Sequence, residues 1–436
     1  MGSHATKFMA SLCREELVEW ALCKHCLGGE TEGRASSTAN VGSSGAGNCG
    51  GGLRAECAGV RAANANSKFC RDLWRAMAGE THDNLAVSPL GVSLMMGALI
   101  EGASGDTYQQ IRDAMYFEHD DLRRAGHWMY LASLDKVKDP ILTIASQIFV
   151  SNKISMLPGF IDSLRSHYGS PALSVDFSDS KSAARKINTW STTETRGLID
   201  NIIEAQEIDP NTRLVLANSI FFQGTWATRF DPKHTETKQF YSLTGPKDVT
   251  MMQLESKFYY SAMPRMNYTM LEMPYQASRF AMQFLLPKRV TSHQELLVGF
   301  KEPYLEDTFR TSKVSTRVHV ELPRFEVSNK LALTSPLSEL GLVDMFGDRA
   351  DFTGVCTNAS LFVSKVQQNT VVAVTEEGCK AAAVTSTIMV EKCAGLSRTS
   401  PIAYFVMDRP FLFRIVDRCS SMIIFQGAVT DPSLSV

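Results

Sequence analysis

Residues 375–401 read TEEGCKAAAVTSTIMVEKCAGLSRTSP and interrupt a region of strand formers. The preceding VSKVQQNTVVAV (363–374) is rich in β-branched residues, and the following YFVMDRPFLFRIV (404–416) again favours strands. Residues 376–383 contain no large apolar side chain and no helical stripe. We therefore expect an exposed loop between two strands.

The same stretch also alternates as a strand would. Successive side chains of a strand point to opposite faces, and here one face carries only small residues: Cys379, Ala381, Ala383, Thr385 and Thr387. The other face carries Lys380, Ala382, Val384, Ser386 and Ile388. A loop that becomes a strand against a packed surface needs such a small face, because overpacking costs about 1–3 kcal/mol.

The composition is that of a globular chain with a sizeable core. Hydrophobic residues make up 44% and charged residues 21% of the 436 residues, which is typical of globular domains. The net charge of -2 gives no argument for nucleic acid. Apolar runs fall short of the about 18 residues of a membrane helix. We expect neither nucleic acid nor a membrane as a partner.

The cysteines divide between two parts of the chain. Half of the 10 lie in the first 62 residues, and the rest are Cys70, Cys356, Cys379, Cys393 and Cys419. An odd number with irregular spacing favours free thiols over a disulfide scaffold.

Residues 1–62 differ in composition from the remainder. The stretch 29–52 is rich in Gly and Ser and predicts disorder. We interpret 1–62 as a disordered or low-complexity extension and 63–436 as the folded domain. The N-terminus lacks the apolar core of a signal peptide, because Arg14, Glu15 and Glu16 interrupt it.

Helical patterns dominate the first half of the domain and strand patterns the second. Residues 67–79 carry apolar side chains at helical spacing, and Ser88-Pro89 predicts the start of a buried helix that is apolar nearly all round. Residues 158–169 and 182–197 also favour helices. From LVLANSIFFQGTW (214–226) onward, strand runs alternate with turn signals. This order predicts an α+β fold.

From residue 64 onward the chain resembles the serpin family. The stretch 84–111 is similar to the buried helix and following turn of that fold, and LVLANSIFFQGTWATRFDP (214–232) to its central-sheet strand and Gly-x-Trp turn. The order continues with VTMMQLESKFYYS, LEMPY, MQFLLP, LPRFEV, LGLVDMFGDRADFTG, SKVQQNTVVAVTEEG, DRPFLFRI and IIFQGAVTDP. The resemblance implies helices packed on three mostly antiparallel or mixed β-sheets, with an exposed reactive centre loop at 375–401.

The family resemblance implies a serine-type endopeptidase inhibitor that acts as a suicide substrate. A target serine protease would cleave the loop and form a covalent acyl-enzyme complex, and the cleaved loop would insert into the main sheet. We expect a monomer that needs no cofactor. The implied hinge consists of Glu376, Glu377, Gly378, Cys379, Lys380, Ala381, Ala382 and Ala383.

The family's usual spacing from the hinge implies a reactive site at Lys392 and Cys393. A lysine suits a trypsin-like pocket, whose buried carboxylate pairs with a long cation. Arg398 is a second basic candidate for the cleaved bond. Cys393 stands where serine is more frequent in the family.

A second group, Ser88, Asn218 and Gln368, matches the polar cluster beneath the opening sheet of serpins. A histidine usually stands at the position of Gln368 and a serine at that of Gly91. Since a glutamine amide both donates and accepts, the network can persist in altered form. The hinge also departs from the inhibitory pattern at Cys379-Lys380, which we expect to affect the rate of insertion more than insertion itself.

Two other functions remain open. Against an enzyme, the chain has neither G-x-S-x-G nor HExxH, and its 9 histidines are scattered without metal-ligand spacing. The second alternative is a non-inhibitory serpin that acts as a carrier, chaperone or storage protein. Non-inhibitory members often carry bulky or charged inward residues at the hinge, so the small inward face favours inhibition.

Two surface features bear on location and activation. Arg123, Arg124, Lys136 and Lys138 lie among acidic residues, and we do not predict heparin activation. Asn267 and Asn358 begin glycosylation sequons, which matter only in an exported chain. We expect an extracellular protein, with the cytoplasm as the alternative.

Overall fold

The computed structural model describes residues 51–77, 84–134, 141–263, 267–290, 292–301, 314–357, 360–379 and 402–434. The α-helices of these ranges are α1 (Gly51–Met77), α2 (Pro89–Leu99), α3 (Gly105–Ala114), α4 (Asp120–Leu134), α5 (Pro158–Tyr168), α6 (Ser180–Glu194), α7 (His293–Leu297) and α8 (Thr334–Glu339).

The strands follow the predicted shift from helix to strand along the chain. They are β1 (Leu85–Val87), β2 (Ile141–Ser151), β3 (Leu173–Val175), β4 (Leu214–Thr225), β5 (Glu236–Ser242), β6 (Gly245–Met263), β7 (Tyr268–Pro274), β8 (Phe280–Pro287), β9 (Ser315–Pro323), β10 (Phe325–Ala332), β11 (Val363–Val374), β12 (Gly378–Cys379), β13 (Ala403–Val406), β14 (Phe411–Asp417) and β15 (Met422–Val429).

Helix α1 is longer than its apolar stripe predicts. The stripe residues Phe69, Leu73, Trp74 and Met77 are buried. The helix begins at Gly51 and therefore runs through the expected boundary at residue 62, because alanine and arginine in this segment have high helix propensity. The boundary of the extension stays a prediction, and residues 29–50 lie outside the described ranges.

Helix α2 is buried on every side, as its composition predicts. Ser88 is its N-cap, with the hydroxyl accepting a hydrogen bond from the Gly91 backbone N–H at 3.1 Å, and Pro89 occupies the first turn. The helix contacts β2 and β4 of one sheet and β15 of the other. A helix between two sheets has no solvent face, which explains its apolar residues all round.

The first sheet has six strands in the order β10-β11-β12-β4-β2-β3. Strands β11 and β4 also pair directly and in parallel, from Val363 opposite Leu214 to Val371 opposite Phe221. The remaining neighbours are antiparallel, apart from the parallel pair β2 and β3. The sheet is therefore mixed.

The second sheet has nine strands, with the path β1-β15-β14-β8-β7-β6-β9-β13 and β5 beside β6. The described strands thus form two sheets where three were expected. The long strand β6 explains the difference, because its first part pairs with β5, its middle with β9 and its end with β7. Strand β6 therefore joins into one sheet the strands that the resemblance implies as separate sheets. The α+β class is confirmed.

Three cysteines, Cys70, Cys356 and Cys379, are buried and carry reduced thiols. Cys419 is disulfide-bonded, so the expectation of free thiols is wrong for this residue. Within the described ranges, none of the helices combines the length and the apolar content that a bilayer span requires.

Candidate functional site: the seam of the six-stranded sheet

The candidate site lies where β11 and β4 separate. Beyond the last direct pair of these strands, β12 occupies the space between them. Cys379 is opposite Val374 of β11 and Gly224 of β4, and Gly378 is opposite Thr225. We call the line between β11 and β4 the seam. The chain therefore already contributes a short strand to the seam, whereas the sequence suggested an exposed loop from residue 375.

Gly378 can adopt its position only as glycine. Its φ of +145° lies in a region that side chains disfavour. A Cβ atom at this residue would lie 1.9 Å from the Gly224 carbonyl oxygen. The close approach of the two backbones depends on the absence of a side chain at Gly378.

Cys379 is completely buried, and its sulfur lies 3.1 Å from the Tyr275 hydroxyl. Burial raises the pKa of the Cys379 thiol to about 12, with the Tyr275 hydrogen bond acting in the opposite direction. Burial likewise raises the pKa of Tyr275 well above its ordinary value. Both groups are therefore neutral, as an apolar environment requires. Thiolate chemistry at Cys379 is suppressed while β12 is in place.

Glu376 fastens the turn before β12. The Thr235 hydroxyl donates to its Oε1 at 3.0 Å, and Arg324 Nε lies 3.3 Å from its Oε2. Its backbone carbonyl accepts from the Phe230 N–H at 3.0 Å. Because Glu376 is only 8% exposed, these partners compensate the carboxylate for the water it has lost.

Trp226 holds the same turn from the side of β4. Its backbone N–H donates to the Glu377 carbonyl at 2.8 Å, and its indole N–H donates to the Thr375 carbonyl at 3.1 Å. The indole ring stacks on Tyr275 with centroids 4.5 Å apart. The Gly-x-Trp turn thus supports the turn before β12 as well as ending a strand.

The polar residues Ser88, Asn218 and Gln368 meet beneath the seam, and all three are fully buried. Gln368 Nε2 donates to Asn218 Oδ1 at 2.8 Å and to the Ser88 carbonyl at 3.0 Å. Gln368 Oε1 accepts from the Ser88 N–H at 2.8 Å, and the Ser88 hydroxyl donates to the Ile424 carbonyl at 2.6 Å. The cluster connects α2 to both strands of the seam.

Several predicted site residues lie outside the described ranges. They are the remaining hinge residues Lys380, Ala381, Ala382 and Ala383, the reactive-site candidates Lys392, Cys393 and Arg398, and the sequon residue Asn358. Asn267 is exposed at the turn between β6 and β7, with φ +59°, a conformation that asparagine tolerates. The assigned roles stay predictions.

The two described basic residues of α4 are engaged by one carboxylate. Arg123 is buried, with its Nη2 2.7 Å from Glu101, and Arg124 Nη2 lies 2.8 Å from the same residue. These arginines and Ser163 hold the pKa of Glu101 at about 2, although burial acts to raise it. Lys136 and Lys138 lie outside the described ranges.

Sequence reasoning missed four residues of the site: Trp226, Thr235, Tyr275 and Arg324. Trp226 and Tyr275 stand in the quoted QGTW and LEMPY segments, so the resemblance carried a signal without a role. Arg324 likewise stands in the quoted LPRFEV segment, whereas Thr235 is an ordinary polar residue with no local pattern. Among the described residues, no group of three or more His, Cys, Asp or Glu side chains is placed to hold a metal ion.

Comparison with known proteins agrees with this architecture. Residues 64–432 match a family model described as Serpin (serine protease inhibitor). The chain is 32% identical over 377 residues to leukocyte elastase inhibitor of Sus scrofa, covering 84% of this chain and 98% of that protein. It is 31% identical over 357 residues to glia-derived nexin of Mus musculus, covering 80% and 88%.

A solved structure points to functional variety among similar proteins. Thyroxine-binding globulin in complex with thyroxine aligns with a TM-score of 0.75 and 26% identity, covering 85% of this chain and 99% of that one. With a family model that spans most of its length, the chain belongs to the serpin family. Its similar proteins include an elastase inhibitor and a thyroxine-binding globulin.

Proposed function

We propose that this serpin inhibits trypsin-like serine proteases by cleavage and insertion of its reactive centre loop. The protease serine attacks the carbonyl carbon of Lys392, the peptide bond to Cys393 breaks, and Cys393 leaves as a new amino terminus. The ester between protease and Lys392 persists because the loop enters the seam before water hydrolyses the ester.

Strand β12 is the observation that carries the proposal. In it, Cys379 pairs with both seam strands and Gly378 pairs with β4. Extending β12 beyond Cys379 would add further ladder hydrogen bonds between β11 and β4, which is the physical basis of strand addition. The small inward residues Ala381 and Ala383 continue the alternation that begins with the buried Cys379.

Lys392 supports a trypsin-like target. The buried carboxylate of such a specificity pocket pairs with a long cation and disfavours apolar side chains. Arg398 has the same charge but stands six positions later (398 − 392 = 6), so cleavage there would leave a longer arm to insert.

The test is incubation with trypsin followed by a denaturing gel. Under reducing conditions we expect a band that is stable to boiling, at the summed mass of the protease and residues 1–392, because cleavage releases residues 393–436. Lys392→Ala should reduce the intensity of this band at least tenfold, whereas the matched control Arg398→Ala should leave the intensity unchanged. Cleavage of the loop without any stable band would overturn inhibition and favour the carrier alternative.

A further inference from the structure

A cavity of about 250 Å³ lies beside β2, with walls from this strand and from helices α2, α4, α5 and α6. Among the described strands, β3 covers this edge of β2 only at residues 149–151, so the space beside residues 144–148 is not filled by a neighbouring strand. Protein interiors contain few voids larger than a water molecule, and an engineered cavity of roughly 150 Å³ binds benzene. The cavity therefore has room for a small organic molecule with one or two rings.

The inner wall of the cavity is apolar. It consists of Leu94, Met95 and Ala98 of α2, Leu131 of α4 and Leu164 of α5. All of them are buried except Leu131, which is partly exposed. Such a wall favours the apolar body of a ligand, because removal of apolar surface from water is the main source of affinity.

Most polar groups of the lining are already engaged within the protein. Gln147 Nε2 donates to the Pro171 carbonyl at 2.6 Å, and Gln147 Oε1 accepts from the Ser170 hydroxyl at 2.8 Å. The Tyr168 hydroxyl accepts from Arg123. These groups give a ligand little reason to place a polar atom at the inner end of the cavity.

Glu194 is the exception at the outer end. Among the described residues that line the cavity, it alone is charged, and its side chain is exposed. None of the described basic side chains forms an ion pair with it. Glu194 is also the last residue of α6, where the helix carries a partial negative charge of its own. This end of the cavity therefore attracts a cation.

Trp190 lies on the same face of α6 as Glu194, four residues earlier, and also lines the cavity. Its ring packs edge-on against Phe149, with centroids 5.5 Å apart and an interplanar angle of 82°. This contact fixes the orientation of the indole. An indole face attracts cations more strongly than other aromatic side chains do, so Trp190 and Glu194 favour the same kind of ligand group.

We propose that this cavity binds a small arylalkylamine. The aromatic body lies against the leucines and Met95 of the inner wall, and the ammonium group pairs with Glu194 beside Trp190. The cavity belongs to the uncleaved protein, so the proposal goes beyond protease inhibition and does not depend on it.

The first experiment is isothermal titration calorimetry of the intact chain with tryptamine. We expect a Kd on the order of 10⁻⁴ M or tighter, as is usual for a ligand of this size. Indole-3-propionate is the matched ligand, because it keeps the ring and the chain but ends in a carboxylate. It should bind at least fivefold more weakly. Absence of tryptamine binding, or equal affinity for the two ligands, would overturn the proposal.

Variants then locate the site. Glu194→Gln should weaken tryptamine binding about fivefold, the factor expected for a partly exposed ion pair, without weakening binding of indole-3-propionate. Glu339→Gln is the matched control, because Glu339 is an exposed acid at the end of α8 and lies outside the cavity lining. This variant should bind tryptamine as the wild type does.

Leu131→Trp tests the inner wall. The larger side chain should fill part of the cavity and weaken tryptamine binding at least tenfold. If this variant does not fold, Leu164→Phe provides a smaller change with the same expected direction. Tryptamine affinity that stays unchanged in Glu194→Gln and in the filled variant would place the binding elsewhere and overturn the proposal.

Discussion

His127 lies in a buried position between the rings of Phe117 and Tyr168, with centroids 5.6 and 5.9 Å away. Burial, together with the neighbouring Arg123, lowers the pKa of His127 to about 3, while Glu101 acts in the opposite direction. The imidazole is therefore neutral in the folded protein at any pH near neutrality.

This depressed pKa makes stability depend on pH. Below about pH 6.5 the unfolded chain binds a proton at His127 that the folded chain does not, so stability is lost as pH falls toward 3. Between pH 6.5 and 5.0 the loss should be about 2 kcal/mol in the free energy of unfolding. Denaturant unfolding at several pH values measures it, and His127→Gln should flatten the slope.

The window from pH 6.5 to 4.5 separates His127 from its neighbour Glu101. The pKa of Glu101 is lowered from 4.5 to about 2, so its contribution is lost only below pH 4.5. An unchanged slope in His127→Gln above pH 4.5 would contradict the assignment.

At this scale the sequence predicted the kind of residue but not its partners. The alternation in 379–387 predicted a small inward residue at Cys379, and the structure has it buried. Its contact Tyr275 is 104 positions away in the chain. Local patterns carry no information about such pairs, because only the packing of the two sheets brings them together.

At the scale of the element, the turn at Thr375–Cys379 is a docked unit. Glu376 supplies it with the ion pair to Arg324 and the hydrogen bond from Thr235. The described part of strand β12 has two residues, and these anchors hold the turn that leads into it. Short strands with few partners belong to the low-stability part of a fold.

Glu376→Ala should therefore loosen the docked turn. Hydrogen exchange at the backbone N–H groups of Trp226 and Phe230, which donate to the turn, should accelerate by about tenfold, as expected for loss of charged hydrogen bonds. Glu377→Ala is the matched control, because its contribution is a backbone carbonyl that alanine retains. Equal protection in both variants would mean that Glu376 does not anchor the turn.

The boundaries of several elements were predictable, whereas the neighbours of each strand in the sheets were not. The spans of α5 and β4 follow from periodicity and turn signals. The alternation from Cys379 onward predicted a segment able to become a strand, but nothing in the local sequence indicates that Gly378 and Cys379 already pair in the seam, and glycine is disfavoured in strands. Their strand conformation is imposed by the open ladder groups of β11 and β4.

At the scale of the molecule, α2 couples the two sheets. It packs on β2 and β4 and on β15, and its N-cap Ser88 contacts Gln368 of the seam and Ile424 of β15. Opening of the seam therefore changes contacts of a helix that is also fixed to the second sheet. The resemblance implied the serpin fold correctly, but the merging of sheets through β6 depends on hydrogen bonds that no sequence pattern shows.

Insertion of the whole loop should keep the alternation of the hinge, with Cys379, Ala381 and Ala383 on the inward face. Roughly five or more ladder hydrogen bonds of about 1 kcal/mol each would form, enough to raise Tm by about 10 °C or more after nicking. Ala383→Glu puts a carboxylate on the inward face with Cys379, where its burial is costly, so this variant should show no rise. Ala382→Glu places the carboxylate on the opposite face, so the Tm of this variant should rise after nicking as that of the wild type does. Thermal unfolding before and after nicking within 384–401 measures both, and equal behaviour of the two variants would exclude insertion in the register that β12 begins.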